Sequence, residues 1–187
     1  MCWNIDFEIC ALIILGVVVA LHISKQYVSI RRSHLFLAMV AVECVAILCN
    51  IGLRQMLIYH GISIGTAGIA LVDFYIAVQY ALPLLFMYYM VVWSGKSMIY
   101  GHNQWAFILF WLPIVGYAFV IGNNIAKQNL YRLDARLGYA ETSAMMALNW
   151  IAIYAVMYGL VYAVVYIRIL SFERLSMIGL SGVLVVF

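Results

Sequence analysis

The chain has 187 residues, of which 68% are hydrophobic and only 9% charged, and its mean hydropathy is +1.07. Soluble domains carry roughly a quarter charged residues, so this balance excludes an ordinary water-soluble globule. The net charge of +3 comes from ten basic and seven acidic residues spread without any run, which leaves nucleic-acid binding without an electrostatic footprint.

Only helices and closed barrels satisfy their own backbone in lipid, and the unbroken apolar runs here lack the alternation of a barrel strand. The expected fold is therefore an all-α integral membrane helical bundle, a single transmembrane domain over residues 1–187. The first span is expected over 9–24. Asp6 and Glu8 precede it where a signal peptide would be basic, so it reads as a retained helix. The segment KQYVSIRRSH follows, then a second span over 35–58 and the short link YHGISIGTAG. A third span over 69–93 contains Asp73, Gln79 and Pro83, and a fourth over 105–122 contains Pro113. Proline inside a span removes a backbone N–H and favours a kink.

The longest polar segment runs from Asn123 to Thr142. Its Leu130, Leu133 and Leu137 fall at helical spacing, which suits an amphipathic surface helix over the bundle end, or equally a plain connector. The fifth span is expected over 143–167. Residues 175–187 offer only 13 positions, about 20 Å of helix where about 30 Å is needed to cross. Five complete spans plus a truncated sixth are thus expected, in a fragment of a longer protein; a re-entrant last helix is the alternative. Links after spans one, three and five hold Lys25, Arg31, Arg32, Lys96, Arg168 and Arg174, against Lys127, Arg132 and Arg136 on the other side. By the positive-inside rule the N-terminus is expected outside.

The second span carries the chemistry that is hardest to place in lipid. Asn50 and Arg54 lie roughly 20° to either side of Glu43 on a helix of about 100° per residue, so the three share one face. Arg54 and Asp73 are expected at matching depth on antiparallel neighbours, as an intramembrane pair. Two readings stand: Glu43, Asn50, Arg54 and Asp73 line a polar cavity open to the outside, or Arg54 and Asp73 neutralise each other and Glu43 is a protonated, hydrogen-bonded carboxyl. Glu43 has no basic residue at similar depth.

In the fifth span Trp150, Tyr154, Tyr158, Tyr162 and Tyr166 recur every four residues beside the small row Ala155, Gly159 and Ala163. The row invites close approach of another helix, so a packing seam is expected rather than a pocket. The four cysteines, Cys2, Cys10, Cys44 and Cys49, show no CxxC spacing, and the four histidines fall at span ends or links. No metal site and no cofactor are expected, and without a metalloprotease, P-loop or dinucleotide motif neither is an enzyme activity.

The strings WNIDFEICALIIL and HLFLAMVAVECVAILCNIG, then QYALPLLFMYYMVVWSG, and FERLSMIGLSGVLVVF at the end run through essentially the whole chain. Together they resemble the multi-pass membrane region of Gram-positive signalling proteins in which such helices precede cytoplasmic GGDEF domains, often with EAL domains, that make or degrade cyclic di-GMP. In those proteins the place of Asn50 is frequently acidic. The resemblance implies a sensory and anchoring module in the bacterial cytoplasmic membrane, working within a homodimer on an unidentified small-molecule signal, with the catalytic output domain absent from this chain. The rival expectation is a small transport component that binds a polar solute through Glu43, Asn50, Arg54 and Asp73.

Overall fold

The computed structural model describes residues 6–24, 30–60, 66–93, 104–134 and 138–166. In chain order these form helices α1 (Asp6–Ser24), α2 (Ile30–His60), α3 (Thr66–Trp93) and α4 (Gln104–Lys127), strands β1 (Tyr131–Asp134) and β2 (Gly138–Glu141), and helix α5 (Ser143–Tyr166). Four stretches, Ser33–Met56, Thr66–Val92, Trp105–Lys127 and Ser143–Val164, are long and apolar enough to cross a membrane. The apolar part of α1, Ile9–Ala20, is shorter. The expected sixth span at 175–187 lies outside the described residues.

Helix α3 is the central element. It packs along α2 on one side and α5 on the other, α4 lies against α5 and more lightly on α3, and α1 lies on α2. Three apolar clusters hold these contacts. Leu15 and Val18 of α1 meet Phe36, Met39, Val40 and Ile47 of α2 and Leu82 and Phe86 of α3. Leu53, Val72, Ile76 and Leu148 join Leu130 and Tyr131 at the hairpin end. Met87, Val91, Phe110, Ala155 and Tyr162 bind α3, α4 and α5 together. The outward faces are apolar as well, with Val17, Phe119, Trp150 and Met157 all more than half exposed. A water-soluble protein would hide such side chains, whereas acyl chains cover them without cost.

One sequence expectation is overturned. The described residues between Asn123 and Thr142 do not form a separate amphipathic surface helix: α4 runs on through Asn124 to Lys127, and a two-stranded antiparallel hairpin follows as a small addition to the helical bundle. Its register pairs Tyr131 with Glu141 and Asp134 with Gly138. The local cause is the exit from α4. The Gln128 N–H closes the last helical bond on the Asn124 carbonyl at 2.7 Å, and Gln128 itself turns left-handed at φ 47°, which ends a right-handed helix. Thr142 then draws the hairpin shut and starts α5. Its hydroxyl donates to the carbonyls of Asn129 at 2.7 Å and Leu130 at 2.8 Å, and its own carbonyl accepts from Met145 N–H at 3.0 Å.

Candidate functional site

Two polar groupings stand out against the apolar bundle. The first, at the hairpin end, is built on Asn124. Asn124 is 2% exposed and its amide is engaged at both ends: Nδ2 donates to Asp73 Oδ1 at 2.8 Å, and Oδ1 accepts from the Leu130 N–H at 3.1 Å. One side chain at the end of α4 thus ties the first turns of α3 to the segment that enters β1. Tyr131 adds a second tie, its hydroxyl lying 3.3 Å from the Ile69 carbonyl and within hydrogen-bond reach of the Asp73 carboxylate. Burial pushes the Tyr131 phenol well above its ordinary range, and the negative charge of Asp73 and the hydrogen bond to it push the same way. Neither Asn124 nor Tyr131 was singled out from the sequence. The available signal was an asparagine pair interrupting the apolar end of α4.

Asp73 thus accepts from Asn124 and lies within hydrogen-bond reach of Tyr131. Arg54 stands half-buried on α2 next to Leu53, whose side chain enters the same apolar cluster as Val72. Asn50 is half-buried one turn earlier. Glu43 belongs elsewhere. Its i−4, i−3 and i+4 neighbours, Met39, Val40 and Ile47, are buried in the cluster shared with α1 and the distal half of α3. The polar face of α2 is thus divided between two packing regions, with Glu43 about 16 Å along the helix from Arg54.

Glu43 forms the second grouping almost alone. It is 3% exposed, and its Oε2 receives no hydrogen bond. A carboxylate in such surroundings is costly, because each unmet acceptor forfeits the bonds it made in water.

The residues named from the four-residue repeat in α5 fall on two sides of that helix. Ala155, Gly159 and Ala163 are buried, and at Gly159 a Cβ would come within 3.2 Å of the Met87 Cα, so α3 and α5 touch backbone to backbone there. Tyr154, Tyr158 and Tyr162 form a continuous stack, with centroid separations of 6.2 and 6.0 Å and interplanar angles of 21° and 22°. The first two hydroxyls serve α4: Tyr154 donates to the Leu109 carbonyl at 3.0 Å and Tyr158 to the Ala106 carbonyl at 2.9 Å. Leu109 is the residue four before Pro113, whose ring nitrogen has no hydrogen to give that carbonyl. Tyr154 replaces the missing helical bond. Elsewhere Tyr117 of α4 donates to the Ala77 carbonyl of α3 at 2.7 Å, and the hydroxyl of Tyr80 bonds to Asn149 of α5.

Among the described residues no three His, Cys, Asp or Glu side chains converge as a metal site would need. The string GISIG at 61–65 does match the G-x-S-x-G spacing of a nucleophile elbow, but that elbow follows a strand, and here the preceding element is helix α2. The pentapeptide itself lies outside the described residues. Comparison with known proteins gives no match, whether to family models, to curated proteins or to solved structures.

Proposed function

We propose that this chain is the membrane-embedded sensory and anchoring module of a bacterial signal-transduction protein, one whose cytoplasmic GGDEF-type output domain belongs to a longer parent chain. The observation that carries this reading is Glu43. Anchoring alone needs only apolar helices, and an ionisable side chain in the middle of a span costs several kcal/mol unless it is paired, wetted or neutralised, so its presence there is by default a sign of function. A group with two charge states, set between α1, α2 and α3, gives the bundle two arrangements to choose between. The helices that would transmit the choice are interrupted ones, since α3 contains Pro83 and α4 contains Pro113. The module sits in the cytoplasmic membrane with its N-terminus outside and acts within a homodimer, and it binds rather than transforms its signal.

The test is cellular cyclic di-GMP in the host of the parent gene, compared between the wild-type chromosomal allele and Glu43→Gln. A several-fold change in the nucleotide with unchanged protein level in the membrane is expected. A reading frame that stops after Phe187 beside a transport ATPase gene would sink the sensory reading and favour the polar-solute transport component.

A further inference from the structure

We infer that Glu43 is a proton-binding site enclosed in the bundle, and that the ligand exchanged there is a single proton. The inference deepens the sensory reading by naming what the site takes, and rests on that reading only for the use made of the proton. Its basis is the make-up of the apolar cluster that takes in the i−4, i−3 and i+4 neighbours of Glu43 and so forms the described walls around it. Helix α1 presents Leu15 and Val18, α3 presents Leu82, Phe86, Tyr89 and Met90, α5 presents Ala163, and α2 itself presents Met39, Val40 and Ile47. Among these described walls the titratable groups are the Tyr89 phenol and, beside Glu43 in the chain, the half-buried Cys44 thiol. Neither can carry a positive charge. The nearest described bases on the same helix are His34 and Arg54, nine and eleven residues away, about 14 and 16 Å along the axis.

An anionic Glu43 in that setting has no counter-charge and an oxygen, Oε2, that no donor reaches. A metal ion would require several oxygen ligands where the walls offer methyl groups and rings. An organic cation would need room as well as partners. A proton needs neither, and it converts the carboxylate to a carboxylic acid that fits among apolar neighbours.

The turn of α3 at the level of Glu43 also has a carbonyl that lacks its helical donor. Antiparallel α2 and α3 are fixed in register by Phe36 against Tyr89, 6.4 Å between ring centroids, and by Gly52 against Leu71. Interpolating between these contacts sets Glu43 opposite roughly residue 81 of α3. That is the turn in which Pro83 supplies no N–H to the Gln79 carbonyl. Loss of the proton then leaves a charge that must recruit water or a donor into the α1–α2–α3 contact, so packing of α2 on α3 changes with protonation.

The experiment is infrared spectroscopy of the full chain in lipid vesicles, with ¹³C-labelled glutamate, titrated from neutral to alkaline pH. The expected result is a labelled carboxylic-acid band at neutral pH that Glu43→Gln removes and that converts to carboxylate on titration, with faster amide exchange in α2 and α3. Should Glu43→Gln fail to assemble, Glu43→Asp serves for assignment, because it takes the label out of that position. A neutral-pH spectrum without a Glu43-dependent acid band overturns the inference. So does a band that responds to sodium at fixed pH. If the band titrates while cyclic di-GMP output ignores pH, the site stands and the sensory reading falls.

Discussion

Asn124 shows how one amide can organise the end of a membrane bundle, and the two atoms it commits give separable predictions. Replacing it by alanine strips Asp73 Oδ1 of its 2.8 Å donor and the Leu130 N–H of its 3.1 Å acceptor. A buried group left unmet, as the Leu130 N–H would be, costs about 1–3 kcal/mol, read as a lower thermal midpoint in vesicles and faster exchange of the hairpin amides. Asn124→Asp is expected to do more harm, because it retains the acceptor for Leu130 but sets a second carboxylate against Asp73. Tyr131 adds a pH dependence. Its folded-state phenol holds its proton more tightly than the unfolded chain does, through burial first and the charge of Asp73 second. The resulting stabilisation is complete below the ordinary tyrosine value of about 10 and declines as pH rises beyond it. Alkaline unfolding of the hairpin end, followed by amide exchange, should therefore be steeper in the wild type than in Tyr131→Phe, which has no proton to lose.

At the scale of elements, the contact between α4 and α5 turns on an exchange of backbone for side-chain hydrogen bonding. Pro113 leaves the Leu109 carbonyl without its helical donor and Tyr154 supplies one at 3.0 Å. Tyr154→Phe is expected to cost about 0.5–1 kcal/mol, the range of interhelical bonds in membranes. In a Pro113→Ala background, where residue 113 again has an N–H, the same substitution should cost clearly less; a double-mutant cycle on vesicle-embedded protein measures the difference. The opposite side of α5 was legible in the sequence. Ala155, Gly159 and Ala163 at four-residue spacing are enough by themselves to state a close helix contact, and the four long apolar helices are legible because about twenty apolar residues in a row have few other uses. The hairpin was not legible, since Leu130, Leu133 and Leu137 recur at helical offsets and lack the two-residue alternation that would mark a strand. What decides between them is the left-handed turn at Gln128, a local backbone feature, and the capture of Leu130 by the core, a tertiary one. Asn124 escaped notice for a related reason: its partner Asp73 is 51 residues away, and nothing local marks the bond. Glu43, by contrast, stood out on cost alone, but which helices enclose it required the fold.

For the whole molecule, orientation in the membrane decides which polar grouping meets which compartment. The hydrogen bonds of Asn124 and Tyr131 put the start of α3, the end of α4, the hairpin and the start of α5 at one end of the bundle. In the sequence, Lys25, Arg31 and Arg32 fall between the apolar stretches of α1 and α2 and Lys96 falls after α3, whereas Lys127, Arg132 and Arg136 fall between the apolar stretches of α4 and α5. Basic residues are retained on the cytoplasmic side, so the hairpin is expected to face out. Cysteine scanning tests this directly once Cys2, Cys10, Cys44 and Cys49 are replaced by serine or alanine. Asn129→Cys, at an exposed position between α4 and β1, should react in intact cells with a thiol reagent that does not cross membranes, and Lys96→Cys only after permeabilisation. The reverse pattern would invert the bundle. It would carry the end of α5 to the outside, away from any cytoplasmic domain joined to it, and turn the hairpin latch toward the cytoplasm. Glu43, near the middle of the apolar stretch Ser33–Met56, lies at similar depth in either orientation. Its protonation at equilibrium is therefore expected to be indifferent to inversion, so the labelling experiment bears on the sensory topology without prejudging the proton site.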